Sequence, residues 1–187
     1  MAARGLLKKR LWTYDELTSA MPETNQPTEI WDGDIVMPPA PSVEHQEISN
    51  RLEEALRNWV RKHNLGLIFH APLDVVLGPR RVVQPDILYI SHARGAIIQH
   101  IIRGAPDLVV EVVSPGSWRR DYVDKKELYE QFGIREYWIV DPEANMVEVL
   151  ALEQKTLRLL GRFGAGECIR SQLLAGFEME VDEVLKR

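Results

Sequence analysis

Acidic side chains stand inside two apolar segments of this 187-residue chain, where charged groups are costly to bury. Asp107 and Glu111 interrupt the valine-rich segment PDLVVEVV, and Asp86 lies in the segment VVQPDILYI. A carboxylate in a buried strand must be hydrogen-bonded, paired with a base or bound to a cation. The two Pro-Asp segments, followed by a helix that carries lysines, therefore predict one shared polar site.

The alternation of side chains along a strand indicates which face of the strand each acid occupies. In a strand over residues 107–113, Asp107 and Glu111 share one face, and Glu111 lies in the middle of the strand. A carboxylate at that position indicates a functional site, with a structural ion pair or an edge position as the alternatives. Asp107 is weaker evidence for a functional site, because Pro-Asp is also an ordinary start to a strand.

The segment after the second acidic strand predicts a helix with one lysine on its inward face. The helix is expected to begin near Asp121, beyond the loop SPGSWRR, and to end at Gly133. Lys125 falls on the same stripe as the aromatic residues of this helix, whereas Lys126 leans toward solvent. Lys125 therefore either reaches the carboxylates on the strand or extends its ammonium to water along the apolar surface.

An earlier amphipathic helix is predicted from Val43 to about His63, with Ser42 as its N-cap. Glu44 lies four residues before Ile48, on the apolar stripe. Its carboxylate either reaches the acidic site or is an ordinary first-turn acid that the helix dipole favours. His45 is expected to be a surface or hydrogen-bonding residue, because no partner at metal-ligand spacing accompanies it.

The remaining segments predict mostly strands. A short helix from Thr13 to Ala20 precedes a hairpin with Asp32-Gly33 at its turn. Antiparallel strands are expected over residues 65–90. Residues 91–105 are compatible with a short helix or an edge strand and are treated as a connector. The segment REYWIVD predicts a central strand, and the residues after it predict a meander of hairpins.

Composition bounds the classes of function. A net charge of −5 argues against nonspecific binding of polyanions over the whole surface. The length and the 45% hydrophobic fraction fit a single domain over residues 1–187. Cys168 is the single cysteine, which excludes an intramolecular disulfide and a cysteine zinc cluster. The start MAARGLLKKR lacks the apolar region of an export signal, and a cytoplasmic protein with no membrane partner is expected.

Taken in order, these motifs resemble a known family. A glutamate on the first long helix, PD in one strand, PDLVVEVVSP in the next and then DYVDKKELYEQFGIREYWIVDP are similar to the Uma-type restriction endonuclease family of the PD-(D/E)xK nuclease superfamily. The likeness covers roughly residues 12–163. It implies an α/β (mixed α+β) fold: a restriction-endonuclease-like core with a mixed β-sheet flanked by helices, an N-terminal hairpin and a C-terminal β-meander. It also implies a divalent-metal site at the carboxylates.

Mapped residue by residue, the resemblance assigns Asp86 to the PD motif and Glu111 to the acidic position of (D/E)xK. Val113 stands where that motif has its lysine, and Lys125 on the following helix matches the lysine that families of this type often place there. Asp86 and Glu111 would then bind Mg²⁺ or Mn²⁺, with Asp107 as a reserve ligand. Lys125 would orient the attacking water or contact the phosphate.

The same mapping implies further contacts and partners. Glu44 would bind or position a second metal, and Arg119, Arg120 and Lys126 would contact backbone phosphates unless they are only solvated surface charges. The substrate would be nucleic acid, with DNA favoured over RNA. A homodimer is expected because cutting both strands of a duplex suits two-fold symmetry.

Two other classes of function stay open. One is a nuclease fold that has lost catalysis and binds protein or nucleic acid, which Val113 permits. The other is a metal-dependent hydrolase of small phosphoesters. For the nuclease, the carboxylates of Asp86 and Glu111 should lie within about 6 Å of each other. Without metal, the pKa of at least one of them should be raised by the charge of the other.

Overall fold

The computed structural model of the chain describes residues 10–21 and 26–186. The expectation about export concerns residues 1–10, which lie almost entirely outside the described residues. Within the described part, no helix is both long enough and apolar enough to cross a membrane.

Helices and strands follow one another along the chain in the following order: α1 Tyr14–Ala20, β1 Glu29–Trp31, β2 Asp34–Val36, α2 Val43–Lys62, β3 Gly66–His70, β4 Val75–Gly78, β5 Arg81–Val83, β6 Ile87–Ser91, a 3₁₀ helix His92–Ile97, β7 Ile102–Arg103, β8 Leu108–Val112, a π-helical segment Arg120–Lys125, α3 Lys126–Gln131, β9 Glu136–Asp141, β10 Met146–Glu153, β11 Thr156–Phe163, β12 Cys168–Arg170, β13 Glu178–Glu180 and α4 Val181–Val184.

Two sheets carry most of these strands. The main sheet has the order β11-β10-β9-β8-β6-β3, and a second sheet has the order β2-β1-β5-β4-β7. In the main sheet β8 and β9 are parallel and the other neighbours are antiparallel. Both central strands are buried along their whole length. The mixed sheet, the central strand at REYWIVD and the β9–β10–β11 meander confirm the predicted fold class.

The strands expected over residues 65–90 divide between the two sheets. β3 pairs with β6 in the main sheet, whereas β4 and β5 form an antiparallel hairpin in the second. Residues 91–105, expected to be a connector, contain the 3₁₀ helix and the short strand β7, which pairs in parallel with β4. The antiparallel pairing was predicted correctly, but not the separation into two sheets.

Helices cover both faces of the main sheet. The apolar stripe of α2, Ile48 to Val60, packs on the face that carries Val110 and Trp138. Helix α3 packs on the opposite face of the sheet, where its Tyr129 lies in the same apolar cluster as Val109 of β8. Because side chains alternate along β8, Glu111 belongs to the face that α3 covers.

Local signals in the sequence explain how several elements begin and turn. Thr13 and Glu16 form a capping box at the start of α1, and the Ser42 hydroxyl accepts a hydrogen bond from the His45 N–H at the start of α2. Asp32 and Gly33 have φ of 52° and 90°, as the predicted type I′ turn requires.

The helix predicted from Asp121 to Gly133 has an unexpected first turn. Residues Arg120–Lys125 are π-helical, and the regular α-helix begins only at Lys126. Gly133 has φ of 74° and ends the helix as predicted. A π-helical turn is wider than an α-helical one and is frequent at functional sites. Two residues of opposite charge in this turn, Asp121 and Lys125, are buried.

Candidate active site

The two strands of the acidic motifs lie side by side. β6 and β8 are antiparallel with Ile87 opposite Val110, and the same register continued by one residue sets Asp86 opposite Glu111. Directly opposed residues on antiparallel strands have Cβ atoms about 4.5–5.5 Å apart. The Val112 N–H donates to Asp86 Oδ2 at 2.7 Å, which holds that carboxylate against β8. The register and this hydrogen bond bring the two acids to the same part of the main sheet, and the expected separation of about 6 Å between their carboxylates stays a prediction.

Glu111 is held by two side chains from the helix that follows it. It is 2% exposed, and its Oε2 lies 2.6 Å from Lys125 Nζ. The Tyr129 hydroxyl donates to Oε1 at 2.5 Å. Of the two positions considered for Lys125, the structure has the one in which the ammonium reaches the strand carboxylate.

A third carboxylate belongs to the same cluster. Asp121 Oδ1 lies 3.5 Å from Lys125 Nζ, and the Ser117 hydroxyl donates to Asp121 Oδ2 at 2.5 Å. The Tyr137 hydroxyl donates to the backbone carbonyl of Asp121 at 2.9 Å. The π-helical turn thus supplies an acid and a base, four residues apart, to the strand that carries Glu111.

Burial and charge together set the protonation of this cluster. Burial raises the pKa of Glu111 to about 8: Lys125 lowers it, and the charges of Asp86 and Asp121 raise it further. Burial alone would lower the pKa of Lys125, but the surrounding carboxylates, Glu111 and Glu29 foremost, outweigh burial and raise it. The expectation of a raised carboxylate pKa is met, although burial contributes more to it than the neighbouring acids.

Near the start of α2, His45 reaches the carboxylate of Asp86. His45 Nε2 lies 3.2 Å from Asp86 Oδ2. Burial would lower the histidine pKa, but the hydrogen bond and charge of Asp86 raise it overall. Glu44 is exposed, which fits the first-turn acid that the helix dipole favours. Its role in binding or positioning a second metal stays a prediction.

Asp107 lies away from the cluster. It precedes Glu111 by four residues on one strand, a separation of about 13 Å at about 3.3 Å per residue. Its carboxylate accepts hydrogen bonds from the Ser91 N–H at 2.8 Å and from Arg135 Nη1 at 3.2 Å, and Arg94 Nη1 lies 3.9 Å away. These contacts are those of a structural ion pair, and Asp107 is not retained as a reserve metal ligand.

The basic residues expected to contact phosphates flank the cluster in sequence. Arg119 is exposed, and Arg120 and Lys126 are half-buried. Arg119 and Arg120 directly precede Asp121, and Lys126 directly follows Lys125. Their role in binding nucleic acid stays a prediction.

Comparisons with known proteins show the family of the chain and a solved structure with the same fold. The Uma2 family, described as "Putative restriction endonuclease", matches residues 13–182. The chain belongs to the Uma2 family. A crystal structure of "a putative nuclease belonging to DUF820" from Anabaena variabilis ATCC 29413 is similar, with a TM-score of 0.78 and 21% identity over 92% of this chain and 97% of that one. At that identity the likeness shows a shared fold. No curated protein matches the chain.

The carboxylates suit a hard divalent cation, although they are not arranged around one. In residues 10–21 and 26–186, no group of three or more His, Cys, Asp or Glu side chains is arranged to hold a metal. Asp86, Glu111 and Asp121 nevertheless offer the oxygen ligands that Mg²⁺ and Mn²⁺ prefer. A carboxylate has about four lone-pair sites, so Glu111 keeps acceptor capacity beside Lys125 and Tyr129. When Glu111 is ionised, the three acids around Lys125 carry more negative charge than its ammonium neutralises, which favours a bound cation.

Sequence reasoning missed three of the side chains in this Uma2 site. Asp121 was noted only as a helix start, Tyr129 only as part of an aromatic stripe, and His45 was not connected to Asp86. A signal existed for two of them: Asp121, Lys125 and Tyr129 are spaced four residues apart, which places all three on one side of a helix. The contact of His45 depends on where α2 docks, which no local pattern determines.

Proposed function

We propose that this member of the Uma2 family is an endonuclease that hydrolyses phosphodiester bonds of nucleic acid, in particular DNA, with Mg²⁺ or Mn²⁺ as cofactor. The observation that carries the proposal is the ammonium of Lys125, 2.6 Å from the buried carboxylate of Glu111, on the strand position opposite Asp86. Such a buried cluster contributes little to stability, because desolvation of the charges offsets their attraction. The presence of such a cluster in the core therefore favours a functional role over a stabilising one.

Asp86 and Glu111 would hold the cation. The bound metal would polarise the phosphoryl group and lower the pKa of an attacking water. The chain itself fixes the positions of the acids: the Val112 N–H and His45 hold Asp86, and Tyr129 holds Glu111. These contacts organise the carboxylates before substrate arrives, which lowers the reorganisation that catalysis requires.

Lys125 supplies the positive charge that phosphoryl transfer needs. Its raised pKa keeps the ammonium protonated, and Asp121 restrains it from the preceding helical turn. A fixed ammonium beside the phosphate stabilises the charge that develops on the equatorial oxygens. The ammonium comes from the helix, so Val113 at the usual lysine position does not leave the site without one. This supports an active enzyme over a binding module that has lost catalysis.

The proposal also covers how the enzyme acts on its substrate. Arg119, Arg120 and Lys126 would contact backbone phosphates and offset the acidic character of the chain as a whole. A homodimer acting in the cytoplasm would bring two sites to the two strands of a duplex. Light scattering during gel filtration measures the oligomeric state directly.

The decisive test is cleavage of supercoiled plasmid, linear duplex and RNA with Mg²⁺ or Mn²⁺, each compared with a chelator control. Glu111→Gln and Lys125→Met should each lower metal-dependent cleavage by on the order of 10²-fold or more, with the fold retained in circular dichroism. The matched controls are Glu148→Gln, which removes a buried acid paired with Arg162, and Lys62→Met on the exposed end of α2. Wild-type protein that cleaves none of these substrates would favour the binding module, and full activity in Glu111→Gln would move the site elsewhere.

A further inference from the structure

Trp118 is an exposed tryptophan directly beside the proposed site. It is 57% exposed, whereas the other four tryptophans of the chain are buried or half-buried. The loop that carries it leads from β8, with Glu111, into the π-helical turn, with Asp121 and Lys125. A large apolar ring held in water at this place has no packing role that burial would explain.

The ring of Trp118 is held in a defined orientation. It stacks on Tyr122 with centroids 5.2 Å apart and an interplanar angle of 28°. The Tyr122 hydroxyl donates to Asp141 Oδ2 at 3.2 Å, which anchors the lower ring to the end of β9. One face of the pair is therefore supported by the protein, and the indole is presented outward.

The loop is tied to the carboxylate cluster by its own hydrogen bonds. The Ser114 N–H donates to the Ser117 hydroxyl at 2.9 Å, and that hydroxyl donates to Asp121 Oδ2 at 2.5 Å. Trp118 is the next residue along the chain. A ligand that rests on the indole would thus be positioned relative to Asp121 and, through it, to Lys125.

The two residues that follow Trp118 in the chain carry positive charge. Arg119 and Arg120 follow Trp118 directly, and neither forms an ion pair within residues 10–21 and 26–186. An aromatic face with adjacent guanidinium groups is the combination that single-stranded nucleic acid binds, through base stacking and phosphate contacts.

We propose that Trp118 is a stacking platform for a nucleobase next to the phosphate that is cut, and that this base is unpaired when bound, either in a single strand or at a locally opened position of the duplex that a dimer would cut. This inference rests on the proposed function and refines its substrate. A base within an intact duplex must first be unstacked before it can lie on the indole, and that step costs binding energy. A strand that is already unpaired does not incur that cost.

The test compares binding of labelled oligonucleotides in chelator, where no cleavage occurs, as single strand, intact duplex and duplex with an unpaired bubble. Trp118→Leu keeps an apolar side chain without a π-face, and Trp118→Phe keeps a smaller one. Trp118→Leu should weaken single-strand and bubble binding by about 10-fold or more, Trp118→Phe by less, and neither should alter intact-duplex binding. Leu159→Ala, which truncates another exposed apolar side chain, is the control and should bind like wild type.

The outcomes separate this inference from the proposed function. Metal-dependent cleavage by wild type, together with equal single-strand binding by Trp118→Leu, overturns the stacking platform alone. A wild-type dimer that becomes a monomer in Trp118→Leu makes Trp118 a subunit contact and also overturns it. Wild-type protein that neither binds nor cuts any nucleic acid overturns both proposals. Loss of binding to an oligonucleotide with one abasic position, seen in wild type and absent in Trp118→Leu, supports the platform.

Discussion

Replacing Glu111 by Gln should change how the stability of the metal-free protein depends on pH. The pKa of Glu111 is raised from 4.5 to about 8 in the folded chain, so the folded state holds this proton more tightly than the unfolded state. Stability from this group is complete below about pH 4.5 and is lost as pH rises through 8. Each pH unit across this range costs about 1.4 kcal/mol, which gives about 3 kcal/mol by pH 7 and about 5 kcal/mol above pH 8.

The measurement is denaturant unfolding in chelator at pH values from 5 to 9, for wild type and Glu111→Gln. As pH rises from 5 to 9, the free energy of unfolding of wild type should fall by several kcal/mol relative to that of Glu111→Gln, because glutamine has no proton to lose. Glu148→Gln should not produce this shift. If the free energies of unfolding of wild type and Glu111→Gln depend on pH in the same way, the raised pKa assigned to the buried carboxyl group of Glu111 is wrong.

Added metal provides a second measurement on the same variant. A cation that binds the carboxylates of the folded state stabilises it by about 2.7 kcal/mol at a concentration 100 times the dissociation constant. Mg²⁺ or Mn²⁺ should therefore raise the free energy of unfolding of wild type and of Glu148→Gln at pH 8, but not that of Glu111→Gln. Equal stabilisation of all three proteins would mean that the cation binds away from Glu111.

Substitutions at two further positions, His45 and Asp107, test what those residues do. His45→Ala should weaken metal binding, measured by calorimetry, by about 10-fold or more, because Asp86 loses the side chain that orients it. His45→Gln should recover part of that affinity. Unchanged affinity in His45→Ala would exclude a positioning role. Asp107→Asn should lower the free energy of unfolding by about 1–3 kcal/mol, because the ion pair with Arg135 is lost. Metal binding should be unchanged. A stable Asp107→Asn protein that no longer binds metal would make Asp107 a metal ligand.

The parts of the site that the sequence predicts are those set by local periodicity. Glu111 follows from alternation in a valine-rich strand, and Lys125 follows from the inward stripe of the next helix. The pairing of Asp86 with Glu111 needs only that two short acidic strands be neighbours in one sheet. The same holds for the ends of α2, where Ser42 is a conventional N-cap.

The parts that the sequence does not predict depend on distance or docking. Asp107 shares a face with Glu111, but a shared face says nothing about separation along the strand. The contact of His45 with Asp86 depends on how α2 docks, because neighbouring positions on a helix differ by a rotation of about 100°. The division of β4 and β5 into a second sheet likewise depends on strand partners far apart in the chain.

The π-helical turn at Arg120–Lys125 gives this segment one residue more than a regular helix needs. A turn of this type contains one residue more than the α-helical turn it replaces. Deleting one residue between Asp121 and Lys125 would let the helix close to α geometry with nearly the same total rotation about its axis. Asp121 and Lys125 would then be three residues apart, which still places them on one side of the helix. The segment should therefore tolerate the loss of one residue within this turn.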